Sequence, residues 1–220
     1  MMLPLVLYDI LSELPGNNWS ANPAKPSLLR PRFVLSYKEL PFVTIWVEYS
    51  DISIAMKSIG AKPSKRRNGS DDPNTGFVVA DSLAIAEYLD KTYPEKPVIP
   101  RGANVLIGLF EPAYCSVAYG KARLELLGET RWEAVSEANV EQQWEDLKKG
   151  LDEIDKWYQK SGGKWIMGDT FSFADMVVAC RTMWWNKIFD EEQLRELHSW
   201  NGGRWARVLA DVNAECSTDL

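Results

Sequence analysis

Residues Phe77-Val-Val-Ala-Asp81-Ser82-Leu-Ala-Ile-Ala-Glu-Tyr-Leu89 run from a short apolar strand into an Asp-Ser pair that opens an amphipathic helix. The order predicts an anion pocket. Backbone N–H groups at a helix start lack intrahelical acceptors and carry a partial positive charge, so a hydroxyl and a carboxylate placed there can grip an amino-acid head. Ser82 would take the carboxylate of such a ligand and Asp81 its ammonium. The plainer alternative is that Ser82 caps the helix and Asp81 is a favourable first-turn acid.

A chain of 220 residues with 45% hydrophobic content can build one large domain or two small ones. A formal net charge of -6 argues against nucleic acid as the main partner, because neutralising phosphates requires a basic face. The one basic cluster, Lys62-Pro-Ser-Lys65-Arg66-Arg67, reads as a solvated loop. Met1 to Leu7 is too short for a signal-peptide core and no later run approaches a membrane span, so a cytoplasmic protein without membrane contact is expected. Cys115, Cys180 and Cys216 are odd in number and widely spaced, which suits reduced thiols. His198 is the single histidine, and with neither Cys-x-x-Cys nor His-x-x-x-His no metal is expected.

Leu5 to Asp9 reads as a strand, Arg32 to Leu40 as a helix with Phe33, Val34 and Tyr37 at helical spacing, and Phe42 to Val47 as a second strand. Strand, helix, strand is half of a thioredoxin-like domain. A short helix over Ile52 to Ile59, a turn over Asp72 to Gly76 and a strand over Phe77 to Val79 would follow. The second half carries no strand pattern. Val140, Trp144, Leu147, Leu151, Ile154 and Tyr158 form one apolar stripe on a long helix, and Ser172-x-x-Asp175 is a capping box with Asp in place of the usual Glu. The fold class is therefore α/β plus all-α: a thioredoxin-like domain over residues 1–93, a Pro-rich linker over 94–104 and an all-helical domain over 105–220.

The strand-Asp81-Ser82-helix corner, the hinge Tyr93-Pro94-Glu-Lys-Pro97-Val-Ile-Pro100 and the later Gly168-Asp-Thr-Phe-Ser172-Phe-Ala-Asp175 together resemble the cytosolic glutathione transferases, over nearly the whole chain. Within that superfamily, Trp19-Ser20-Ala-Asn22-Pro-Ala-Lys25 and Leu35-Ser-Tyr37-Lys38 look like the fungal, serine-type, etherase-related (Fua-class) enzymes of wood-decaying basidiomycetes. The resemblance implies glutathione as co-substrate, aromatic electrophiles as second substrates, a detoxifying role and a homodimer. In that subclass a serine contacts the glutathione sulfur, which makes Ser20 the candidate. The thiol's ordinary pKa of about 8.5 must fall by about two units to give mostly thiolate at neutral pH. Asn22, Asp81 and Ser82 would bind glutathione, while Trp19, Phe110 and Tyr114, with Tyr119, would meet the aromatic substrate. Asp175 would be structural.

Two departures bear on the site. Pro26-Ser27-Leu-Leu-Arg30-Pro31 is inserted ahead of the first helix; Pro31 fits best at a helix start, which makes Ser27 the alternate sulfur donor. Between Pro63 and Asp72, where the family has an apolar third strand led by a cis-proline, stands Ser-Lys-Arg-Arg-Asn-Gly-Ser-Asp. With no β-branched or aromatic residue, this octapeptide predicts that the central strand is lost. A compromised glutathione site is the favoured consequence. A rebuilt site, a lost gene segment and a non-catalytic binding module are the alternatives. Tyr8, at the end of an apolar strand, reads as packed, and no Cys stands in the first loop to support cysteine-type chemistry.

Overall fold

The computed structural model describes residues 2–10, 29–48, 51–61, 69–100 and 140–217. The chain divides into two compact units, residues 1–99 with 213–220, and residues 100–212. In the first, β1 (Leu5–Ile10), α1 (Leu29–Tyr37), β2 (Phe42–Val47), α2 (Ile52–Ser58), β3 (Gly69–Asp72), β4 (Phe77–Ala80) and α3 (Ser82–Thr92) follow in order. The strands form one mixed sheet in the order β2-β1-β3-β4, with β1 parallel to β2 and antiparallel to β3, and β3 antiparallel to β4. This is the expected thioredoxin-like arrangement.

Strand alternation decides which face of β1 is buried. Leu5, Leu7 and Asp9 point to one side and are all buried, whereas Tyr8 is half-buried on the other. A carboxylate on an apolar face needs a partner. Asp9 has one in Arg32 of α1, whose Nε donates to Oδ2 at 2.8 Å. Arg32 also donates to Thr44 Oγ1 at 3.1 Å, and its guanidinium lies 4.9 Å from the Trp46 ring centroid, so charge and stacking dock α1 onto β2. The helix begins at Leu29, three residues before the apolar pattern suggests, because Pro31 falls within the first turn, where its missing N–H has no intrahelical acceptor to lose.

The polar octapeptide does not remove the third strand, which corrects the sequence expectation. Gly69–Asp72 pairs on both sides: Val6 opposite Asp71, Leu7 opposite Ser70 and Tyr8 opposite Gly69 across β1, then Gly69 opposite Ala80 through Asp72 opposite Phe77 across β4. Backbone pairing requires N–H and C=O groups, not branched side chains, and four residues suffice to fill the gap between β1 and β4. Its last residue, Asp72, is buried, and hydrogen bonds replace the missing apolar anchor. Asp72 Oδ2 accepts from Tyr88 Oη at 2.6 Å and Tyr93 Oη at 2.7 Å, while Oδ1 accepts from Asn74 N and Nδ2 at 2.9 and 3.0 Å. Pro63 and its flanking peptides lie outside the described residues.

The Pro-rich segment after α3 is pinned at two points. Lys38 Nζ donates to the carbonyls of Tyr93, Glu95 and Lys96 at 2.8, 2.9 and 3.1 Å and pairs with Asp90 at 2.9 Å. Asp90 in turn accepts from the amides of Val98 and Ile99. A buried ammonium with four acceptors is satisfied, and it sits where the carbonyls ending α3 favour a cation.

The regular elements described in the second unit are helical: α4 (Val140–Ser161), α5 (Phe173–Ile188), α6 (Glu191–Ser199), a 3₁₀ turn (Trp200–Gly203) and α7 (Arg204–Glu215), whose last residues group with the first unit. The α4 stripe is buried at Leu147, Leu151, Ile154 and Tyr158, with Trp144 half-buried. Helix α5 is buried on every side, as its run of Phe173, Ala174, Met176, Val177, Val178 and Ala179 requires of a central helix. The capping box at its start is present. Asp175 Oδ2 accepts from Ser172 N at 3.0 Å and Ser172 Oγ at 2.8 Å, and Oδ1 from Ile166 N at 2.9 Å and Tyr158 Oη at 2.8 Å. The loop that delivers Ile166 closes by a backbone contact so tight that a Cβ on Gly163 would stand 2.2 Å from the Gly168 carbonyl carbon. Trp165, Trp184, Trp185, Trp200 and Trp205 are core, and Cys180 and Cys216 are buried thiols without a disulfide.

Candidate functional site

The corner between β4 and α3 is built by one backbone conformation. Asp81 has φ 89° and ψ 132°, outside the region open to L-residues without strain. Strand therefore becomes helix within a single residue. The carboxylate of Asp81 then turns onto its own helix, with Oδ1 accepting from Leu83 N at 3.0 Å and Ala84 N at 3.4 Å. Asp81 is thus the N-cap and Ser82 the first helical residue, which reverses the plain capping roles suggested by sequence.

The reversal leaves Ser82 with no capping duty. Its Oγ is fully buried and has no hydrogen-bond partner among the described residues. A buried hydroxyl without a partner is destabilising by about 1–3 kcal/mol, so its presence at the positive end of a helix calls for an acceptor from elsewhere. A carboxylate is the acceptor that this environment favours. Ile85, Ala86 and Leu89 follow Ser82 at helical spacing, share its buried face of α3 and fix the helix that carries the corner.

The Asp72 cluster lies at the far end of the same β4–α3 pair, and the sequence reading did not single it out. Burial alone would push the Asp72 carboxyl up, but the hydrogen bonds from Tyr88, Tyr93 and Asn74 outweigh it and hold it below the ordinary carboxylate range. Burial, reinforced by the bond to Asp72, pushes the Tyr93 phenol up to about 12 and raises that of Tyr88. A depressed carboxylate adds stability above its unfolded pKa of about 4, and this is lost as pH falls through the folded value. A raised phenol adds stability below its unfolded pKa of about 10, and this is lost as pH rises through the folded value. Urea midpoints recorded against pH should therefore fall less on acidification for Asp72→Asn than for wild type. Superimposable acid limbs would contradict this.

Of the other residues expected at the site, Ser20, Ser27, Asn22, Trp19, Phe110 and Tyr114, together with Tyr119, lie outside the described residues. Asp81 and Ser82 are therefore the two that the structure places, and they stand side by side. Among the described residues no three His, Cys, Asp or Glu side chains converge as around a metal ion, and no helix is long and apolar enough to cross a membrane.

A thioredoxin-like sheet followed by a helical half with a buried capping box is the architecture that the resemblance to glutathione transferases leads one to expect. Comparison with known proteins agrees. The family "Glutathione S-transferase, C-terminal domain" matches residues 116–214. A glutathione S-transferase of Ceriporiopsis subvermispora, solved in complex with glutathione, superposes with a TM-score of 0.78 at 27% identity, covering 97% of this chain and 100% of that one. The glutathione transferase GSTFuA3 of Phanerochaete chrysosporium gives 0.78 at 28% identity over 98% of both chains. The glutathione S-transferase-like protein ustS of Aspergillus flavus is 34% identical across 45% of this chain and 39% of its own length. The chain spans less than half the length of the curated relatives it matches, at 39% and 48%. The helical half thus matches the glutathione S-transferase C-terminal-domain family, and the chain is similar in fold to fungal glutathione transferases.

Proposed function

We propose that this protein is a serine-type glutathione transferase that joins the glutathione sulfur to hydrophobic aromatic electrophiles. The observation that carries the reading is the buried Ser82 hydroxyl, without a partner among the described residues, at the start of α3 beside the carboxylate of Asp81. Ser82 would donate to the α-carboxylate of the γ-glutamyl residue, with the α3 terminus adding favourable charge, and Asp81 would receive its ammonium. Asn22 would add a further contact. Ser20, or Ser27 in its place, would donate to the thiolate and so lower the thiol pKa. In the reaction the thiol loses its proton to solvent, the sulfur bonds to the electrophilic carbon and the leaving group departs with its electron pair. Trp19, Phe110 and Tyr114 would stack on the aromatic partner. The reading carries with it an etherase-like, detoxifying role in the cytoplasm, and a homodimer.

Ser82 is fully covered in this structure, so glutathione reaches it only when the covering groups move aside. Apparent affinity is then lowered by the fraction of open protein, which fits a weakened rather than an absent site. The same covering favours a second reading, a non-catalytic ligand-binding module on the transferase scaffold. Retention on immobilised glutathione, with elution by free glutathione and loss of retention in Asp81→Ala, supports the transferase together with turnover of an activated aryl halide that drops in Ser20→Ala. Retention without turnover supports the module, and no retention rejects both roles for the corner.

A further inference from the structure

The β4–α3 unit is a hairpin of strand and helix with a strained hinge at one end and a hydrogen-bonded latch at the other. Strand residues 77–80 advance about 10 Å, and the helix from Ser82 to Tyr88 returns about 9 Å, so Tyr88 comes back level with Phe77. The two rings accordingly stack, with centroids 5.1 Å apart and planes 8° from parallel. At this end Asp72 collects both phenols, Tyr88 Oη at 2.6 Å and Tyr93 Oη at 2.7 Å, and Asn74 secures the other carboxylate oxygen. Thr75 Oγ1 shares a further 2.6 Å hydrogen bond with Tyr88 Oη. At the opposite end Asp81 holds its positive φ of 89°.

A residue in a sparsely populated backbone region stays there only when its surroundings over-determine it. The surroundings of Asp81 consist of β4, held by β3, and α3, held along its buried face by Ile85, Ala86 and Leu89 and tied to β3 by the latch. We propose that Asp72, through Tyr88 and Tyr93, is a positioning residue for glutathione: the latch keeps α3 folded back on β4 and thereby holds Asp81 and Ser82 in the geometry that receives the γ-glutamyl head. The inference rests on the function proposed above and adds residues that touch no substrate. It also accounts for a carboxylate at the end of a strand that has no apolar anchor of its own, since Asp72 joins β3 to the helix bearing the site.

The test uses the full chain and the double variant Tyr88→Phe/Tyr93→Phe, which keeps both rings and the stack while removing both donors. The single variant Tyr93→Phe serves if the double one does not fold. Amide hydrogen exchange and calorimetric titration with reduced glutathione are measured together. The latch predicts roughly tenfold faster exchange at Leu83 and Ala84, whose amides Asp81 accepts, unchanged exchange at Val177 and Val178 of α5, and a fivefold rise in Kd for glutathione with kcat retained at saturation. Unchanged exchange and Kd in the variant, while Ser82→Ala weakens binding, overturn the latch alone. Equal acceleration at all four amides also overturns it, because that is loss of global stability. No binding by the wild type overturns the glutathione reading and the positioning role with it.

Discussion

Asp175→Ala is expected to destabilise the helical unit by about 4 kcal/mol, measured as the urea unfolding free energy by circular dichroism. Four donors converge on this carboxylate: Ser172 N, Ser172 Oγ, Ile166 N and Tyr158 Oη, at 2.8–3.0 Å. Each becomes a buried, unsatisfied group when the side chain is cut back, at about 1–3 kcal/mol each before water or relaxation rescues some of them. Asp175 itself is fully buried, and burial pushes its carboxyl above the ordinary range despite the four donors. Asp175→Asn should fall between wild type and alanine. Its oxygen can still serve Ile166 and Tyr158, but its NH₂ then faces the two Ser172 donors. Ser172→Ala, which removes one of the four donors, should cost about 1–2 kcal/mol. A loss below 1 kcal/mol for Asp175→Ala would show that the network does not hold α5.

Ser82→Ala is expected to do two things of opposite sign. Glutathione affinity should fall about 10–100-fold, the worth of a hydrogen bond to a carboxylate at roughly 1.5–3 kcal/mol. Stability without ligand should rise, by about 1 kcal/mol, because the variant removes a buried hydroxyl with no partner among the described residues and puts a better helix former in its place. This pairing distinguishes a residue kept for a ligand from one kept for the fold. A structural serine would lose stability and affinity together. Thermal melts and calorimetric titration of the same preparation supply both readings, and a drop in unfolding free energy for Ser82→Ala would refute the ligand role.

The elements with internal periodicity were legible in the sequence. Leu5, Leu7 and Asp9 alternate, Leu147, Leu151, Ile154 and Tyr158 recur at helical steps, and each set is buried as its spacing demands. Strand β3 was not legible, because its pairing rests on backbone groups and its anchor on Tyr88 and Tyr93, more than a dozen residues away. Propensity reads side chains, and Gly69–Asp72 carries no propensity for a strand. The same holds for Lys38, whose four acceptors are more than fifty residues distant in the chain.

For the site, the sequence located the corner but not the division of labour within it. Whether Asp81 or Ser82 caps α3 depends on one backbone dihedral, the positive φ of Asp81, and no spacing rule encodes it. The fact that a lone acid on an apolar face must have a cation would have found Arg32 opposite Asp9, but only once the topology had brought α1 against β1.

The central claim is that the 81–82 corner receives the amino-acid head of glutathione, and the most direct measurement is a calorimetric comparison of reduced glutathione with an analogue whose γ-glutamyl α-carboxylate is amidated. The account predicts that wild type binds glutathione at least tenfold more tightly than the analogue, and that Ser82→Ala binds the two within twofold of each other. Equal affinity of the wild type for both ligands would contradict it.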